Sequence, residues 1–163
     1  MSIISKKARY ALHGLAYIAE FSDGEPVPFN KILRYLRVYA QRLTLSPGYI
    51  AKVFQDVSRA GLTVATPGPR GGYRLARRPE EIRLIEVVEA LDGPVGSECC
   101  LLSVGECQQQ STCAVRKIIL EAELTFYGFF QNETVASMAH KMVFPDSVTL
   151  SSYDQQRADR TRS

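Results

Sequence analysis

Apolar side chains recur at helical spacing over residues 5–21, at Ala8, Ala11, Leu12, Leu15, Ile18 and Ala19. This is the period of a helix with one buried face. Ser5 stands where an N-cap is needed, and Ser22-Asp23-Gly24 supplies the turn that ends the helix. Pro26 and Pro28 punctuate the next stretch, and Phe29 to about Val38 predicts a second helix. Residues 35–45 either extend that helix or form a loop. Ser46-Pro47 then places a capping serine before a proline at the first helical position. The helix that follows turns Ile50, Val53, Phe54 and Val57 to one face and Ala51, Lys52, Gln55 and Arg59 elsewhere; Gly61 closes it.

The period then changes. Leu62 to Ala65 and Tyr73 to Ala76 predict two short strands around the Gly- and Pro-rich turn Thr66 to Gly72. Three helices followed by a two-stranded hairpin form the winged helix-turn-helix pattern. A further helix at about 84–92 buries Leu84, Val87, Val88 and Leu91 and stops at Asp92-Gly93-Pro94. From Ala114 to about Phe130 a long helix carries a broad stripe of Val115, Ile118, Ile119, Ala122, Phe126, Phe129 and Phe130, suited to pairing with a partner. A short helix from Thr134 to about Met142 precedes a polar, aperiodic tail that is expected to be mobile. The expected architecture is mostly α: a winged helix-turn-helix domain over 1–83, a second region over 84–142, and a tail over 143–163.

The 163 residues are 45% hydrophobic, enough for one good core. No run approaches the apolar length of a membrane span, and the N-terminus lacks the pattern of a secretory signal, so a cytoplasmic location without membrane partners is expected. The net charge of +3 is weakly basic, but Lys and Arg concentrate before residue 83 while carboxylates thin out there. That asymmetry suits a surface facing phosphate.

In a helix-turn-helix the second helix of the motif enters the major groove. Ser46, Pro47 and Gly48 give that helix an open N-terminus toward phosphate, and Tyr49 and Lys52 offer a phenol and an ammonium to backbone or base edges. At the wing tip Arg70 is placed for the minor groove beside Gly71. Lys6, Lys7 and Arg9 are further phosphate-contact candidates.

All four cysteines, Cys99, Cys100, Cys107 and Cys113, lie between the 84–92 helix and the long helix. Closely spaced thiols in a reducing compartment point to metal, redox chemistry or a sensor rather than a disulfide framework. The spacing permits an iron–sulfur cluster, while zinc, thiol redox chemistry and inert cysteines all remain open. The two histidines, His13 and His140, flank the segment from far along the chain. No paired carboxylates, activated nucleophile or phosphate-cradling loop suggests an enzyme; the GPRGGY glycines lie between two strands, which is not a nucleotide fingerprint.

The stretches SKKARYALHGLAYIA, SPGYIAKVF, GPRGGYRLA and IEVVEALDG, together with the spaced cysteines, resemble the iron–sulfur cluster regulator family of winged helix-turn-helix transcriptional repressors. The resemblance covers roughly residues 1–142. It implies a homodimer, paired through the long helix, whose [2Fe-2S] or [4Fe-4S] cluster lies in the 93–113 loop. Carried over, the cluster ligands fall on Cys100, Cys107 and Cys113, with Cys99 an extra thiol beside the first. Relatives place a further ligand at positions that here hold Arg116 and Arg9, neither suited to the role. A redox-sensing relative uses a histidine at the position of His13, so the fourth ligand is expected to be His13 or Cys99. The chain also has about seven residues more than the family pattern between Ile32 and Tyr49.

These observations lead to an expected DNA-binding regulator on a palindromic operator, with cluster state setting the pose of the two DNA-binding units and [2Fe-2S] preferred over [4Fe-4S]. The alternative within the fold is a cluster-free regulator using its thiols as a redox switch or zinc site.

Overall fold

A computed structural model describes residues 4–40, 45–94 and 112–145. Helix α1 runs from Lys6 to Phe21, with the Ser5 hydroxyl capping its first turn by accepting from the Ala8 N–H at 3.1 Å. Helix α2 spans Phe29–Tyr39 and α3 spans Pro47–Arg59. The question left open over 35–45 resolves in part: the helix continues through Tyr39, and residues 41–44 lie outside the described ones.

Gly61, at φ +72°, ends α3 in the left-handed region that glycine enters without a Cβ clash. There the Leu62 N–H reaches back to the Val57 carbonyl and the Gly61 N–H to that of Ser58, the paired bonds of a Schellman stop. Strands β1 (Thr63–Thr66) and β2 (Gly72–Leu75) pair antiparallel, with Thr63 opposite Leu75. Both are one residue displaced from the sequence expectation. The reason at β2 is Gly72, whose Cβ would stand 2.2 Å from the Val27 carbonyl oxygen. Only a glycine lets the Val27 bridge to Tyr73 form, and that bridge fastens the wing to the α1–α2 connection.

Beyond the wing, a single 3-10 turn at Pro79–Glu81 leads to α4 (Leu84–Asp92), followed by α5 (Ala114–Asn132) and α6 (Val135–Lys141). Helix α1 is the hub, touching α2, α3, α4, α6 and β2. One buried cluster joins Ala8, Ala11, Leu12 and Leu15 of α1 to Val53 and Val57, to the inner face of α4, and to Tyr127 and Val135. The other joins Tyr17 and Ile18 to Ile32, Tyr35, Leu36, Leu45, Ile50 and Phe54. At the α1–α3 crossing Gly14 meets Phe54, where a Cβ would fall 2.4 Å from the ring. The packing crosses residue 83 without a break: the Leu84 N–H bonds to Glu133 and the Val135 N–H to Ile82.

The stripe expected on α5 divides between two environments. Tyr127 is buried, and Phe126 and Phe130 pack against the α1–α4 cluster. Val115, Ile118 and Phe129 are 59%, 67% and 70% exposed. None of the helices among the described residues is long and apolar enough to cross a membrane.

Candidate nucleic-acid interface and cysteine segment

The residues of α3 expected to face DNA are positioned by burial on the opposite side of the same helix. Ile50, Val53, Phe54 and Val57 are at most 2% exposed, which forces Tyr49, Lys52 and Gln55 outward on a helix of fixed phase. Ser46 caps the helix, its hydroxyl accepting from the Tyr49 N–H at 3.4 Å. Pro47 and Gly48 are exposed, and a Cβ on Gly48 would meet only the Ser46 hydroxyl at 3.8 Å. The fold therefore does not require glycine there, and an open N-terminus is the arrangement that admits a phosphate.

Tyr49 is 42% exposed and stands edge-on to Tyr10 of α1, ring centroids 6.2 Å apart. Burial, then the neighbouring phenol of Tyr10 and the carboxylate of Asp92, push its phenol upward from the usual tyrosine value. Lys52 bonds to Asp56 at 2.9 Å, and Arg59 reaches the same carboxylate oxygen at 3.1 Å. Asp56 thus holds two cations on the outer face of the helix. The Lys52 hydrogen bond is the main reason its carboxyl lies below the usual range.

Arg70 is exposed at the wing tip. Gly71 beside it serves the turn itself: a Cβ there would lie 2.1 Å from the Thr66 carbonyl oxygen. The tight turn, closed by the Gly71 N–H bonding to Gly68 at 2.9 Å, projects the arginine beyond the sheet. Lys6 and Arg9 are exposed on α1. Lys7 is placed differently, its ammonium donating to the Leu91 carbonyl at the end of α4 and lying 4.0 Å from Asp92.

That last contact belongs to a clasp that the sequence pattern does not reveal. The Ser5 N–H donates to Asp92 Oδ2 at 2.8 Å across 87 positions. A cation at a helix C-terminus and a carboxylate at a helix N-terminus each meet the favourable end of the other's dipole. Asp92 is the last residue of α4 before the cysteine segment begins. No local pattern marks it, because its partners lie at the other end of the chain.

Of the cysteines, Cys113 is the N-cap residue of α5, half-buried and free of any disulfide. Cys99, Cys100 and Cys107 lie outside the described residues, and no metal-holding group of side chains occurs among the described ones. His13 is half-buried, its Nδ1 3.4 Å from the Tyr35 hydroxyl and its ring 4.2 Å from that of Tyr39. Burial lowers its pKa from the usual 6.5, favouring the neutral imidazole. Arg116 lies on the first turn of α5.

A second buried contact is equally invisible to local pattern. Arg37, only 6% exposed, donates Nε and Nη2 to the Leu45 carbonyl at 3.2 and 3.0 Å. It thereby anchors the chain just before Ser46, at the end of the stretch where the family spacing is exceeded.

Residues 4–141 match the model of the Rrf2 family, described as iron-dependent transcriptional regulators. An HTH-type transcriptional regulator of Aquifex aeolicus is 29% identical over 89% of this chain and 99% of its own. IscR of Vibrio campbellii is 27% identical over 96% and 85%. Among solved structures, the global cysteine regulator CymR of B. subtilis superposes with a TM-score of 0.65 at 23% identity, covering 88% of this chain and all of that one. T. potens IscR gives 0.57 at 22% identity, covering 87% and 93%. The structural likenesses establish a shared winged-helix fold, and the sequence relatives are transcriptional regulators rather than enzymes.

Proposed function

The chain belongs to the Rrf2 family of transcriptional regulators, and from that premise we propose that it is a homodimeric repressor. In this reading a cysteine-held iron–sulfur cluster controls the pose of its recognition helices. The observation that carries the proposal is the clasp at the end of α4. Asp92, immediately ahead of the cysteine segment, bonds to the start of α1 and lies within electrostatic reach of Tyr49 on α3. A change in the 93–113 loop therefore acts on the helix that would read DNA through one residue, without a long relay.

The donor set fits a cluster: soft thiolates at Cys100, Cys107 and Cys113 are the ligands such iron centres take. The fourth position falls to Cys99 or His13. The His13 imidazole meets Tyr35 through Nδ1 and packs on Tyr39, an arrangement that leaves Nε2 as the ligating nitrogen, so His13 and Cys99 stand as rivals. When bound, the cluster supplies a centre sensitive to oxidation, iron supply and nitric oxide. The protein's own part is to hold that segment between the α4 clasp and the N-cap of α5. Losing the cluster would shift the balance between two poses of the DNA-binding units, and binding follows the population.

On DNA, α3 would enter the major groove with Tyr49 and Lys52 outward and Ser46, Pro47 and Gly48 at phosphate. Arg70 and the Gly71 turn would reach the minor groove, with Lys6 and Arg9 at the flanking backbone. Pairing through the exposed line Val115, Ile118, Ala122 and Phe129 of α5 would present two such units to a palindromic operator.

Anaerobic purification with iron, sulfide and zinc analysis tests the cluster. A brown protein with sulfide is expected, with loss in Cys100→Ala, Cys107→Ala and Cys113→Ala. Retention in His13→Ala with loss in Cys99→Ala assigns Cys99, and the converse assigns His13. A colourless protein with stoichiometric zinc overturns the cluster in favour of a zinc site.

A further inference from the structure

A cavity of about 220 Å³ opens between the first turns of α1 and the last turn of α2. Neither Asp92 nor Cys113 is among its described lining residues. Lys6 and Arg9, three apart and so on one face of α1, supply two cations to its wall. The positive end of the α1 dipole adds to both. Tyr10, His13 and Tyr39 form an aromatic lining, with the imidazole fixed against Tyr39 and Tyr35. Leu36 and Ala40 close the apolar side. Among the described residues the lining holds no carboxylate.

We propose that this cavity is an effector site for a small planar carboxylate, with Lys6 and Arg9 holding the anion and the aromatic and aliphatic walls enclosing its apolar body. The size sets an upper limit on the occupant, because the volume falls below the roughly 300–1,000 Å³ typical of drug-sized ligands. The charge sets its sign. The flat, ring-lined wall selects an aromatic body over a compact inorganic anion, which gains nothing from Leu36 and the rings.

The site meets DNA reading in two ways: its cations Lys6 and Arg9 are the ones proposed for the flanking backbone, and one aromatic contact reaches α3. Tyr10 lines the cavity and also meets Tyr49 edge-on. Tyr49 stands in the first turn of α3, where the open N-terminus would meet phosphate. An occupant that fixes Tyr10 in one position fixes Tyr49 with it, so ligand and operator report on each other's binding by linkage. This coupling rests on the regulator reading; His13, which lines the cavity, is also a candidate fourth cluster ligand, so the cluster-free protein separates the two roles.

The test is calorimetric titration of the full-length protein, cluster-loaded and cluster-free, with benzoate and with its neutral isostere benzamide. Saturable binding of benzoate but not benzamide is expected in both forms. Arg9→Met and Lys6→Met should each weaken it at least tenfold. Ala40→Leu, which keeps both cations and fills the cavity, should abolish it, with an unchanged circular dichroism melt showing that each variant is folded. Benzoate should then change operator affinity severalfold in the wild type and by a smaller factor in Tyr10→Ala. Absence of benzoate binding, or binding undiminished in Arg9→Met and Ala40→Leu, overturns the site. Binding with no effect on operator affinity, in protein that does bind operator, overturns its role as an effector site. Failure to bind operator at all refutes the regulator reading and leaves the calorimetry to judge the cavity.

Discussion

The backbone N–H of Ser5 and the carboxylate of Asp92 meet at 2.8 Å, joining the cap of the first helix to the last residue before the cysteine segment. The same carboxylate acts on Tyr49 of α3 and on Tyr127 of α5. Helices α1, α3 and α5 therefore lie within reach of one charge. Asp92→Ala removes it and leaves Lys7 without its nearby counter-charge. The expected cost is about 1 kcal/mol by urea denaturation, the scale of one net hydrogen bond. The larger effect is a smaller difference in operator affinity between the loaded and stripped protein.

Gly14 is fixed by the α1–α3 crossing rather than by helix propensity. Gly14→Val puts atoms where the Phe54 ring already lies, and Phe54 is fully buried. Overpacking of this kind costs about 1–3 kcal/mol. A lower thermal midpoint and weaker operator binding should appear together, because α3 must move to relieve the clash.

Arg70 and Lys52 should separate on DNA. Arg70→Ala removes a wing guanidinium and is expected to cost about 1–3 kcal/mol of operator affinity. Lys52→Ala frees Asp56 from one of its two cations and leaves that carboxylate facing phosphate, so it loses both an attraction and a screen. Gel-shift or anisotropy titrations over a range of salt concentration measure both, with the salt dependence falling by about one ion for each phosphate that is no longer neutralised.

Acid should loosen the start of α4. Burial alone would raise the Glu86 carboxyl, but hydrogen bonds from Arg77 at 2.6 Å and from the Arg83 N–H at 2.9 Å outweigh it and leave the group below the usual 4.5. A depressed folded value stabilises the protein above the unfolded pKa and is lost as pH falls through the folded one. Below about 4.5 urea midpoints should therefore decline, and less steeply in Glu86→Gln. Between neutral pH and about 5 the loss belongs to His13, whose lowered folded pKa costs stability as the unfolded imidazole protonates.

Self-association should depend on α5. Ile118→Asp places a charge in the exposed apolar line while touching none of the buried core, so the monomer should keep its fold. Sedimentation or light scattering should show a dimer converted to monomer, with operator affinity falling because two half-sites are no longer held together.

The helices were legible in the sequence because their signals are local. Ser5 and Ser46 stand at caps, Gly61 at a stop, and the apolar period of α3 and α4 states which faces turn inward. The wing was legible for the same reason, since Gly and Pro crowd between two short apolar runs. Those features also carried the DNA reading, because the phase of α3 alone sends Tyr49 and Lys52 outward. Tertiary structure decided what depends on partners distant in sequence. Lys7 is drawn to the end of α4, the α5 stripe divides between core and surface, and Arg37 reaches forward to Leu45. Tyr10 and His13, two ordinary positions on an amphipathic helix, line a cavity only because α2 packs beside them. A period fixes the direction of a side chain about its own helix axis; which side chain waits there is set by how the helices cross.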